Sequence, residues 1–206
     1  ILNIPPKALS LNGELGLAFG SRGKGGKRAA AAHYERDTTG QVTPNRVVIN
    51  LTREHGAGSL AHEWFHAVDN YFARMRGEKA GMLTEKPYPN GEGVRPEMVM
   101  AFRDLMKAIT STGVMARSRN LDKKRTKDYW STGLEMAARS FESYVIAKLH
   151  EQNAANDYLA NIVPEESYLR EEEYPYPKAA EMPPIREAFD KFFSTVQTKE
   201  TDSGVA

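Results

Sequence analysis

The sequence predicts an α+β fold, a small β-sheet followed by several helices. Two observations predict it. Arg46-Val47-Val48-Ile49-Asn50-Leu51 is short, β-branched and bounded by turn residues, the pattern of a strand. After it, apolar residues recur at helical spacing in three separate stretches, 60–72, 98–109 and 134–149. The 206 residues fit one domain with an appendage. We expect the domain over 1–152. Residues 153–206 read as a Pro- and Glu-rich extension whose last helix packs on that domain and whose tail is disordered.

Each element has its own signal. Residues 1–14, with Pro5-Pro6 and then Asn12-Gly13, read as an extended lead-in with a turn. A short strand is expected over 15–19. Residues 20–28 hold four Gly and four basic residues but lack the Gly-Lys-Ser/Thr ending of a phosphate-binding loop, so they read as a hairpin loop. A second strand is expected over 29–36, and 46–51 is the third and clearest. Gly56 and Gly58 let the chain turn into a helix that Ser59 or a neighbour caps, and Gly77 ends it. Residues 78–93 read as a long loop. Pro96 opens a helix to about 110, with Met98, Phe102, Leu105, Met106 and Ile109 on one face. The basic run at 116–128 reads as a solvated loop. Another helix starts near Ser131, with a stripe of Leu134, Ala138, Phe141, Val145 and Leu149, and a last one spans about 185–197.

The first of these helices carries His62-Glu63-Trp64-Phe65-His66. Positions i and i+4 share a helix face, so His62 and His66 can point two imidazoles at one metal ion. Glu63 follows at about 100° around the axis, near the ion but off the ligand line. There it can take a proton from an attacking water. Two His, a Glu base and an open coordination position are the parts of a zinc hydrolase site. An ordinary surface helix can carry the same three residues. Against that stand the apolar stripe of Phe65, Val68 and Phe72, and Asp69, which joins the histidine face as a carboxylate suited to hold a ligand imidazole.

Composition narrows the chemistry. With no Cys, any metal must use His, Asp or Glu, and disulfides are excluded. A net charge of +1 by itself points to no nucleic-acid or membrane partner. No apolar run approaches a membrane span and no signal peptide opens the chain. Because it begins at Ile1, we expect a piece of something larger; a cytoplasmic setting is the default. Catalytic zinc sites take three protein ligands. A third His six residues after His66 is excluded by Phe72, so a Glu from a later helix is expected. Glu135 is the first choice, since small residues after it let helices approach closely. Glu142 comes next, about 20° away around the axis, and Asp69 after it. The bland alternative pairs Glu135 with Arg139 at i+4 and leaves Glu142 in water.

The sequence resembles the large polyvalent protein-associated domain 1 family. The blocks that carry the resemblance are Leu17-Ala18-Phe19-Gly20-Ser21-Arg22-Gly23, Ala32-His33-Tyr34-Glu35, Val48-Ile49-Asn50-Leu51-Thr52, the stretch 58–71 around the His-Glu motif, Tyr129-Trp130-Ser131 and Glu135-Met136-Ala137-Ala138-Arg139-Ser140-Phe141-Glu142. They cover roughly residues 10–150, and the block at 58–71 is the most specific. The resemblance implies a zincin-like fold of the gluzincin kind, within a much larger protein of a phage or conjugative element that enters a host or recipient cell with its DNA. It implies no substrate.

These readings lead to one set of expectations. The domain is a zinc metallopeptidase with metal ligands His62, His66 and Glu135. Glu63 is the general base, and Asp69 and Glu142 are supporting or alternative ligands. His33, Tyr34 and Tyr129 are candidate oxyanion donors. Zn2+ is the cofactor. A host protein or peptide is the substrate, bound in extended form along the strand at 46–51. The rival is a zinc-stabilised scaffold that binds a host protein, or nucleic acid through basic loops 21–28 and 117–127, without cleaving anything.

Overall fold

The computed structural model describes residues 1–20, 31–36, 47–53, 56–78, 81–85, 93–202 and 204–206. The architecture is α+β. Three strands, β1 (Leu15–Phe19), β2 (Ala32–Glu35) and β3 (Val47–Leu51), form one sheet. Five helices follow among the described residues: α1 (Leu60–Met75), α2 (Pro96–Thr110), α3 (Val114–Asp122), α4 (Gly133–Glu151) and α5 (Met182–Thr195). The strand order is β1-β3-β2, with β1 parallel and β2 antiparallel to β3. The strand expected to be an open edge is therefore the centre of the sheet. All five of its residues are buried, because both of its sides are paired. Among the described residues β2 is an edge of the sheet, and its Tyr34 reaches across to α1.

The core forms where α1 meets α4, α2 and α5. Phe65 stands at its centre, fully buried, 5.1 Å from Phe141 and 5.6 Å from Phe189 between ring centres. Phe102 of α2 closes on Phe192 of α5 at 4.7 Å. Burying an aromatic of this size contributes about 1.5–3 kcal/mol, so this cluster fixes how α1 and α4 face each other. Trp64 packs on the edge of this cluster, 5.6 Å from Phe141, and donates its indole N–H to Leu9 O at 2.9 Å.

Three expected loops prove ordered. Pro6–Ser10 is a turn of 3₁₀-helix. The first part of the basic run lies in α3, where Arg117 turns inward, while 123–128 is an exposed turn, as expected. The Arg117 guanidinium pairs with Glu181 at 2.6 Å and donates to the carbonyls of Tyr174 and Tyr176, both at 2.9 Å. Lys124 likewise takes Glu173 at 2.7 Å. The acidic extension thus neutralises part of the run. The tail expected to be disordered forms a small hairpin, β4 (Glu200–Thr201) with β5 (Gly204–Val205). Asn12 N–H donates to Val205 O at 2.9 Å and ties that hairpin to the first residues. The 21–28 loop lies outside the described residues. No helix among the described residues is long and apolar enough to cross a membrane.

Candidate metal centre

The first turn of a helix leaves N–H groups without partners. At α1 the extension supplies them, and the Ser59 side chain does not. Ala61 N–H donates to Leu159 O at 2.8 Å, and Gly58 N–H to Tyr158 O at 3.1 Å. Gly58 has a φ of +87°, and a Cβ there would stand 2.6 Å from the Asn161 Cβ. Only glycine lets the chain turn this tightly against the extension. The extension is thus part of what holds the His-Glu helix in place.

Glu135 sits in the first turn of α4, and Ala137 and Ala138 are buried just beyond it. Their small side chains let α4 lie close against the histidine face of α1. His62 Nε2 and His66 Nε2 approach to 3.1 Å, and the carboxylate of Glu135 lies 3.4 Å from the first and 3.5 Å from the second. A tetrahedral zinc with metal–nitrogen bonds of about 2.0–2.1 Å holds its ligand atoms about 3.3 Å apart. The spacing of these three side chains fits that ion. His66 and Glu135 are buried, and His62 nearly so. Among the described residues they form the group of metal-binding type whose ligand atoms converge.

Glu142 takes the place between ligand and support that its phase allows. Its Oε2 accepts from His62 Nδ1 at 3.0 Å. That bond holds a proton on Nδ1, so Nε2 is the atom His62 would offer to an ion on giving up its other proton. Burial would pull the His62 imidazolium down, but hydrogen bonds to Glu135 and Glu142 outweigh it and raise His62 to about 10. The same contacts work on Glu135. Burial favours its neutral acid, yet the hydrogen bonds to His62 and His66 hold it well below the usual carboxylate range. In Glu63, which is 7% exposed, burial pushes the carboxyl up and the charges of His66 and His62 oppose that.

Arg139 stands behind Glu135, its Nη1 3.5 Å from Glu135 Oε2. The i+4 pairing and the approach to both imidazoles coexist, so the two readings of Glu135 were never exclusive. Arg139 also donates to Trp130 O and to Pro175 O, and stacks over the Trp130 ring.

Asp69 does not reach an imidazole. Its fully buried carboxylate accepts from Thr84 N–H at 2.9 Å and Thr84 Oγ1 at 2.5 Å, and burial lifts its pKa to about 6 despite those bonds. It pins the loop after α1 to the helix and is no ligand. His66 Nδ1 is buried with no hydrogen-bond partner. Of the three expected donors, Tyr129 lies at the ligands. Burial and the nearby Glu135 carboxylate push its hydroxyl up. Tyr34 donates instead to Asn70 Oδ1 at 2.9 Å, one turn past His66, because the pleat of β2 sends Tyr34 and His33 to opposite faces. His33 bonds Glu35 at 3.1 Å, although its charge is felt at Glu63.

One supporting residue was missed in the sequence. Asp122, at the end of α3, accepts from the N–H groups of Tyr129, Trp130 and Ser131 at 3.0, 2.9 and 2.8 Å, and from Ser131 Oγ at 2.7 Å. It holds the turn that sets Tyr129 over Glu135. Burial alone would raise its carboxyl, but these four bonds lower it. Its stabilisation is therefore present above about pH 4, the unfolded range, and is lost as pH falls through the depressed folded value. Asp122→Ala should destabilise the protein at pH 7 by about 2 kcal/mol, the cost of leaving such donors without a charged acceptor. Denaturant melts at pH 7 and pH 3 check this, because the gap between wild type and variant should narrow in acid.

Residues 121–200 match the family model described as large polyvalent protein-associated domain 1. The matched span holds Tyr129, Glu135, Glu142 and the extension, which was expected to lie outside the resemblance. The helix with His62, Glu63 and His66 lies before it. No curated protein and no solved structure matches the chain.

Proposed function

We propose that the chain, whose residues 121–200 match the large polyvalent protein-associated domain 1 family model, is a zincin-like zinc hydrolase of peptide bonds, part of a larger protein of a mobile element. One observation carries the reading. α4 brings Glu135 within 3.5 Å of the Nε2 atoms of His62 and His66, while Glu63 stands beside them on α1 with its carboxyl tied by no hydrogen bond among the described residues.

His62, His66 and Glu135 would hold the ion, which when bound supplies Lewis-acid activation of water and of the scissile carbonyl. The chain's own residues do the rest. Glu142 keeps His62 in the tautomer that offers Nε2. Glu63 takes the proton from water as its oxygen adds to the carbonyl carbon, then delivers it to the nitrogen as the C–N bond breaks. The Tyr129 hydroxyl, near Glu135, would be the donor to the oxyanion. An extended peptide would add to the β2 edge, which among the described residues is unpaired on its outer side.

The test is to incubate the zinc-loaded protein with host lysate and map new peptide termini, wild type against Glu63→Gln. Termini that depend on Glu63 support the reading. None in either sample leaves the zinc-stabilised scaffold in its place.

A further inference from the structure

The candidate metal centre meets solvent at Tyr129, and the side chains around Tyr129 are cationic. Resting on the hydrolase reading, we propose that the connection between α3 and α4 selects substrates with an acidic residue within about three positions of the cleaved bond, and that Arg125 is the specificity-determining residue.

Tyr129 is 39% exposed, so a bound peptide can touch it. The Glu135 charge acts on its hydroxyl, which places Tyr129 near the ligand group, and the Arg125 guanidinium stands over its ring, 5.0 Å from the centre. One phenol ring therefore separates a fixed cation from the metal ligands. That span is crossed by about two to three residues of extended chain, at about 3.3 Å each. Stacking on the ring orients the guanidinium and leaves its N–H fork open to a carboxylate.

The neighbours reinforce that charge. Lys123, Arg125 and Lys127 are all exposed. Arg117 and Lys124 are already taken by Glu181 and Glu173, and Lys123 leans on the Asn120 amide oxygen at 3.3 Å. Arg125 and Lys127 have no carboxylate partner among the described residues. Asp128, also exposed, is the one acid between 123 and 129. The rim keeps a cationic surplus beside a site whose own groups, Glu63, Glu135 and Glu142, are acidic. A substrate acid is thus drawn to the rim and away from the base. Three cations are few for a nucleic-acid backbone, which a protein grips through about six to ten phosphate contacts. They suffice for one or two side-chain carboxylates.

An exposed ion pair shifts an equilibrium by about 1.5- to 5-fold, so the preference should be graded and weaken in high salt. A chymotryptic proteome-derived peptide library, which keeps Asp, Glu, Lys and Arg at internal positions, is the probe, digested by wild type, Arg125→Glu and Glu63→Gln with their folds compared by circular dichroism. Sites cut by wild type should be enriched in Asp or Glu on one side of the bond by about that factor, and Arg125→Glu should invert the enrichment toward Lys and Arg. Cutting that depends on Glu63 but shows no acidic preference, or keeps it in Arg125→Glu, overturns the proposal and leaves the hydrolase reading intact. No cutting that depends on Glu63 overturns both. A mixed-sequence oligonucleotide that blocks all cleavage equally, and only while Arg125 is present, assigns the rim to phosphate and also overturns the proposal.

Discussion

Glu63→Gln is expected to leave the protein folded and fully loaded with zinc while lowering hydrolysis by about 10²–10⁴-fold, the usual contribution of a general base. The substitution keeps size and shape but cannot accept a proton. Little stability should be lost with the carboxylate, because no hydrogen bond ties it among the described residues and burial already works against its charge. Zinc should stay because Glu63 lies off the line of His62, His66 and Glu135. The readout is the yield of Glu63-dependent peptide termini beside zinc content and the thermal midpoint. Full activity in Glu63→Gln would mean that the helix is a scaffold.

The second large effect separates two carboxylates on one helix. Glu135→Ala removes a group that faces both Nε2 atoms, and zinc affinity should fall by more than about 100-fold. Glu142→Ala removes only the acceptor on the far nitrogen of His62, and the fall should stay within about 10–100-fold. Both are measured by competition with a chromophoric chelator at pH 7. Circular dichroism guards against misfolding, since Arg139 loses its 3.5 Å partner in Glu135→Ala. The reverse order would make Glu142 the ligand and set the role of α4 one face around.

How much of this was legible depends on whether the governing contact is local. The His-Glu motif, the two-turn separation of Glu135 and Glu142, and the span of α2 all follow from periodicity within a few turns. They stand where that reading put them. Arg117 reads as a solvated cation until Glu181, 64 positions later, is seen to accept from it. The tail carries no apolar pattern, and its order comes from Asn12 at the other end of the chain. Asp69 lies three positions after His66, in helical phase with it, yet its carboxylate turns to Thr84. That partner comes from a loop whose position no helical period encodes.

One miss had a signal. Val47-Val48-Ile49-Asn50-Leu51 lacks the apolar–polar alternation of a strand wetted on one face, and near-continuous apolar runs mark strands covered on both. The run pointed to the centre of the sheet, so an edge strand near α1 should have been sought in 32–35 instead. Asp122 offered no such signal. An Asp seven to nine residues before its three amide donors is ordinary loop sequence, and only the return of the chain from α3 to α4 makes it a clasp.

The central claim is a four-coordinate zinc with two imidazoles, one carboxylate and one position left for water. X-ray absorption at the zinc edge, on protein purified without added metal and after reconstitution with one equivalent, measures it directly. The expected result is four nitrogen or oxygen neighbours at about 2.0–2.1 Å with the scattering of two imidazoles, lost in His62→Ala. A shell with three or more imidazoles, a six-oxygen shell, or an unchanged spectrum in His62→Ala would contradict it.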